Sequence, residues 1–170
     1  METSNASAAS PSSTRRRAPN PADRAAHLIG RPYGPQGRAG QVDCVGLFLY
    51  AYEFREDQFP ELLEFRRGKI GYYDSKAWRF DKDNPDHVAS CKLLSQLLTK
   101  HLLSVTMTEL QAGDAILMSF KAKELGLGDH LAIYAGRGEI IHSDMRRGVV
   151  RIPMTYPVVR RCLQAFRKPL

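Results

Sequence analysis

HLAIYAGRGEIIHSDMRRGVVRIPM, residues 130–154, consists of short runs rich in β-branched and aromatic side chains, separated by glycine-bearing turns. That composition is characteristic of strands. Gly136-Arg137-Gly138 between the first two runs reads as a hairpin turn, so HLAIYAG and EIIHSD are expected to lie side by side and antiparallel. The same character extends outward, to AILMSF at 115–120 and CLQAF at 162–166. The chain after Gly113 is therefore expected to form a sheet of short strands.

Before Gly113 the period is helical. Asn20 is a good N-cap, Pro21 suits the first helical position, and Asp23 complements the helix dipole. A short helix is expected to run through Ala25, Ala26, Leu28 and Ile29 and to stop at Gly30. Residues 31–42, rich in glycine and proline, form a loop. In DCVGLFLYAYEF, Leu47, Phe48, Ala51 and Tyr52 repeat at helical spacing, which predicts a helix opening at Asp43 or Cys44. Asn84-Pro85 announces another from about Asp86 to Leu103, with Val88, Cys91, Leu94, Leu97, Leu98 and Leu102 as its buried stripe. Helices first and strands later give a segregated α+β domain, not an alternating α/β one.

The length, 170 residues, fits one domain. Hydrophobic residues at 43% and charged residues at 25% exclude collagen, a coiled-coil rod and wholesale disorder. No apolar run reaches the roughly 18–20 residues of a membrane span. Three cysteines without tight spacing argue against a disulfide framework or a ribbon-type zinc site. The formal charge of +7 favours a polyanionic partner such as nucleic acid, anionic lipid or an acidic wall polymer. It is dispersed along the chain, however, which weakens the case for nucleic acid.

Residues 1–20 are dominated by Ser, Ala and Pro and read as a flexible tail, with the domain at 21–170. Their arginines come late and no apolar core of about 7–15 residues follows, so no signal peptide is read and synthesis in the cytoplasm is expected. Farther along, residues 66–80 interleave Arg66, Arg67, Lys69, Tyr72, Tyr73, Trp78 and Arg79. This composition can stack on bases, but an insertion packing its aromatics on the domain is the preferred reading.

Cys44 is the most informative residue. It stands where a glycine-rich loop turns into a helix, and helix N-terminal N–H groups favour a thiolate. Most cysteines are simply small buried hydrophobes, and Cys91 and Cys162 are read that way. A nucleophilic cysteine needs a base, and the base needs an orienting group. His130 and His142, on the two strands of the expected hairpin, can supply these roles on one face of the sheet. Asp144 is an alternative orienting group, and Asp129 reads as a turn residue. His101 is placed to complement a helix C-terminus, and His27 and His87 have no evident role. A zinc site of Cys44, His130 and His142 would lack both short-range ligand pairs and a fourth ligand.

With IGRPYG, DCVGL, AGDAILMSF, DHLAIYAG and IIHSD in this order, closed by GVVRIPM, the chain resembles the NlpC/P60 family of papain-like cysteine peptidases from about Ala22 onward. The resemblance implies a papain-like α+β fold with helices packed on an antiparallel sheet. It also implies Cys44 as nucleophile, His130 as general base and His142 as the third, orienting residue. Tyr33 matches the family tyrosine that, with the Cys44 N–H, stabilises the oxyanion, and Asp43 stands beside it on the substrate side. Such enzymes cleave amide bonds in peptidoglycan stem peptides, commonly between D-glutamate and a diamino acid, with no metal or cofactor. Val45 replaces the serine common after the cysteine, and GPQGRAGQV replaces a Trp-Gly-Gly run. Both changes bear on which bond is cut more than on the mechanism. A compact DCxGL domain resembles the peptidases of phage tails and tail-like particles, which act at the cell wall, so particle proteins are expected partners. Neither a membrane nor nucleic acid is expected as one. The rival readings are a tail or secretion-particle structural component with the same fold and little activity, a related acyltransferase, and a basic nucleic-acid-binding module.

Overall fold

The computed structural model describes residues 18–34, 40–55, 58, 83 and 85–169, without the side chains of residues 86, 87 and 90. The tail to residue 17, the basic-aromatic segment 66–80 and the His87 side chain thus lie outside the described residues.

Helix α1 covers Pro21–Ala26. Asn20 caps it by accepting the Asp23 N–H while the Asp23 carboxylate accepts the Asn20 N–H, each at 3.0 Å. The helix ends earlier than its apolar pattern suggests, since residues 27–30 form turns leading into Gly30 at φ +87°. Helix α2 covers Cys44–Tyr52, and α3 covers Pro85–His101. On α3, Cys91 and Leu98 are buried and Leu94 and Leu97 partly so, the stripe expected from their spacing.

Six strands follow: β1 Leu103–Val105, β2 Ala115–Met118, β3 His130–Gly136, β4 Glu139–Asp144, β5 Gly148–Pro153 and β6 Cys162–Arg167. They form one antiparallel sheet in the order β1-β6-β2-β3-β4-β5. Strand β1 is a correction: the leucine repeat of α3 masks it, and it exists as a short edge partner of β6. A further short helix, α4 (Tyr156–Val159), lies between β5 and β6, where the sequence reading assigns no element. The β3–β4 hairpin turns on Arg137 and Gly138 at φ +54° and +73°, the left-handed pair that right-twisted strands favour.

Alternation along the strands builds two apolar layers. Ala115, Leu117, Leu131, Ile133, Ile141, Val149 and Phe166 meet the helices, and α2 packs over β3 and β4. Ile116, Met118, Ala132, Ile140 and Ala165 form the core of the other face, where Val158 of α4 packs.

Beneath α2, Asp114 is 2% exposed and accepts two 2.8 Å hydrogen bonds from Arg167 and one of 2.7 Å from the Gln111 N–H. The Tyr52 hydroxyl donates to the neighbouring Gly113 carbonyl at 2.8 Å. Burial pushes the Tyr52 phenol above its usual range. Asp114→Asn keeps the shape but removes the charge that Arg167 faces. It is expected to lower stability by about 2 kcal/mol, read as a lower urea midpoint.

Candidate active site

Three main-chain hydrogen bonds and one from a side chain bring the loop before α2 to one end of the sheet. Gly30 N–H donates to the Val149 carbonyl and Val149 N–H to the Arg31 carbonyl, both at 2.9 Å. Val42 N–H donates to the Pro32 carbonyl at 3.0 Å, so the loop closes on itself. The Ser143 hydroxyl then donates to the Val42 carbonyl at 2.5 Å. Half-buried Tyr33 leaves the first side of this clasp and Asp43-Cys44 the second. The start of α2 is thereby moored beside the residue that follows His142.

Asp43 is fully buried and its carboxylate accepts the Gly46 N–H at 2.6 Å as the N-cap of α2. A carboxylate so enclosed orients the helix that carries Cys44 and has no exposed surface to offer a substrate. Cys44 opens the first turn and is 8% exposed, at the positive end of the helix dipole. Burial pushes the Cys91 and Cys162 thiols up to about 12 and about 11, which favours their protonated forms.

His130 begins β3 and His142 lies near the end of β4. Register pairs His142 with Ala132, so the two histidines stand diagonally across the strand pair. His130 Nε2 lies 3.1 Å from His142 Nδ1, with the rings nearly perpendicular at 85°. Burial holds both imidazoles below the usual histidine range, and at His130 the neighbouring His142 adds to the effect, down to about 3. Both are neutral at neutral pH.

One tautomer pair suits a general base. If His130 Nε2–H donates to His142 Nδ1, His130 Nδ1 keeps the lone pair that can take a thiol proton. His142 then carries its proton on Nε2, a buried atom with no hydrogen-bond partner among the described residues. Asp144 does not take the orienting place. Its Oδ1 accepts the Arg146 and Arg147 N–H groups at 2.9 Å, shaping the β4–β5 turn.

Three contributors are not evident from sequence. Ser143 supplies the mooring bond, and its only signal is a polar residue on the helix-facing register of an apolar strand. The Phe120 ring stands nearly perpendicular to that of His130, with centroids 5.0 Å apart. Asp129, a turn residue as expected, also organises the loop beside it. Its carboxylate accepts the Phe120, Lys121 and Ala122 N–H groups at 2.8, 2.7 and 3.2 Å and so fixes the segment that carries Phe120.

The model of the NlpC/P60 family matches residues 30–167, most of the chain. The chain belongs to the NlpC/P60 family. This NlpC/P60 domain shares its α+β papain-like fold with solved structures. One is an NlpC/P60 family protein from Bacillus cereus ATCC 10987, with TM-score 0.52 and 23% identity over 86% of this chain and 40% of that one. NlpC1 from Trichomonas vaginalis gives 0.52 and 17% over 91% and 46%. A lipoprotein-like NLP/P60 family protein from Staphylococcus aureus gives 0.50 and 18% over 87% and 40%. At these identities the likeness is one of fold, and the chain spans less than half the length of each of these proteins. Curated protein sequences give no match.

Among the described residues, no group of three or more His, Cys, Asp or Glu side chains is arranged to hold a metal ion, and no helix is long and apolar enough to cross a membrane.

The histidine pair also sets a pH dependence for the stability of this NlpC/P60 domain. A histidine whose pKa is lower folded than unfolded binds more protons unfolded, so its contribution is complete above about pH 6.5 and declines as pH falls. Urea midpoints should drop from pH 7 to pH 5, with each histidine adding up to about 1.4 kcal/mol per pH unit. The double variant His130→Gln, His142→Gln should flatten that decline.

Proposed function

We propose that the chain is a cysteine endopeptidase that hydrolyses amide bonds in peptidoglycan stem peptides, with Cys44, His130 and His142 as its catalytic set. The observation that carries this reading is the 3.1 Å His130–His142 contact at the sheet end where the start of α2 is moored. Membership of the NlpC/P60 family supports the reaction class.

In this mechanism His130 Nδ1 takes the Cys44 thiol proton as Sγ bonds to the scissile carbonyl carbon. The Cys44 N–H and the Tyr33 hydroxyl donate to the resulting oxyanion. His130 passes its proton to the leaving amine, the C–N bond breaks, and a thioester remains. Water, deprotonated by His130, then releases the peptide acid and restores the thiol. Neutral His142 accepts from His130 Nε2–H throughout, and the buried Asp43 cap fixes the helix start. Delivery on a phage tail or tail-like particle belongs to the same proposal; mass spectrometry of purified particles tests it.

Purified peptidoglycan digested by the wild type should release peptide fragments whose masses name the bond, and Cys44→Ala should release none. Release by Cys44→Ala, or none by either protein, would overturn the reading. A structural particle component would match the second result.

A further inference from the structure

The site lies at one end of the sheet, and on its β6 side stands a cation, Arg161. Ser119 N–H donates to the Arg161 carbonyl at 2.8 Å, which ties the residue before β6 to the end of β2. The Arg161 guanidinium lies over the Phe120 ring, 4.4 Å from its centroid, and the Phe120 and His130 rings meet nearly at right angles with centroids 5.0 Å apart. These contacts put the cation within about 10 Å of the base, roughly one Debye length at 0.1 M salt. Arg161 is exposed and has no carboxylate partner among the described residues. Asp129, an acid of this loop, has its carboxylate taken up by three main-chain N–H groups.

A guanidinium held over an aromatic face keeps N–H edges free. This arrangement suits bidentate capture of a carboxylate better than that of a neutral amide. We infer that Arg161, held by Phe120, is a specificity residue that binds a free carboxylate of the substrate beside the scissile bond. The domain then prefers stem peptides whose acidic groups are unamidated over the same peptides bearing carboxamides. The peptide preference rests on the peptidase reading; the carboxylate site itself does not.

Two measurements keep those claims apart. The first uses a pair of synthetic stem peptides differing only by carboxylate or carboxamide at the residue flanking the cleaved bond. Wild type should favour the carboxylate by about tenfold or more in kcat/KM, chiefly through KM. Arg161→Gln should erase that preference, with the loss falling on the carboxylate peptide. The second compares alkylation of Cys44 by iodoacetate and by iodoacetamide, reagents of similar size but different charge, with the modified residue located by mass. Relative to the same ratio for glutathione, iodoacetate should be favoured in wild type and less so in Arg161→Gln, with the difference shrinking at high salt.

A ratio unchanged by Arg161→Gln overturns the carboxylate site. A peptide preference that survives in Arg161→Gln overturns its role in specificity. If wild type cleaves neither peptide while the alkylation ratio shifts as expected, the peptidase reading fails and the anion site stands.

Discussion

His130→Gln is expected to lower kcat/KM for stem-peptide hydrolysis by about 10⁴-fold, the upper range for loss of a general base. Glutamine retains hydrogen-bonding capacity toward His142 but cannot take the thiol proton. Folding should persist, since the exchange replaces one half-buried polar side chain by another that can meet the same neighbour. His142→Ala should cost less, about 10²-fold, because it loosens the orientation and tautomer of His130 without removing the base. The pH profile adds a second readout. With His130 pushed down by burial and by His142, the acid limb of kcat/KM should fall below pH 6.5 in the wild type. A limb that lies above that value would show the imidazole in an ordinary aqueous setting and count against the buried pair.

Gly148→Val should unfold much of the protein at moderate urea, with a loss of about 3–4 kcal/mol. Gly148 has φ +74°, and a Cβ there would lie 2.2 Å from the Arg31 carbonyl oxygen and 3.0 Å from the Pro32 Cα. Both obstacles are backbone, so no rotamer change relieves them. The segment 30–32 must shift, which breaks its paired 2.9 Å bonds with Val149 and displaces Tyr33 from the start of α2. Gly138 is the internal control. Its φ is nearly the same at +73°, but nothing lies within 4 Å of a Cβ. Gly138→Val should therefore cost only the left-handed strain of about 1–2 kcal/mol and leave activity intact. Equal losses at the two glycines would mean that backbone conformation alone matters and that the approach of Arg31 to Gly148 does not.

Much of this architecture is legible in the residues. The strands at 130–136 and 139–144 are readable because burial on both layers fills them with Ile, Leu and Ala, and glycines mark their ends. Helix α2 is readable because the apolar spacing of Leu47, Phe48, Ala51 and Tyr52 is helical. Strand β1 is not: three residues following a leucine-rich helix continue its pattern, and only pairing with β6 distinguishes them. The tie of Ser143 to Val42 joins residues 101 positions apart, so no local pattern announces it. Choosing between His142 and Asp144 as partner of His130 likewise requires the turn geometry that commits Asp144 to Arg146 and Arg147. Asp43 shows the converse limit, since its position beside the nucleophile suggests contact with substrate where the fold uses it as a buried cap.

The central claim is that His130, held by His142, activates Cys44. The rate of Cys44 alkylation by iodoacetamide across pH, in wild type and His130→Gln, tests it without assuming any substrate. In the folded wild type Cys44 should react well ahead of Cys91 and Cys162, and His130→Gln should slow it at least about tenfold at neutral pH. Cys44 reacting no faster than Cys91, or at the same rate with and without His130, would contradict the account.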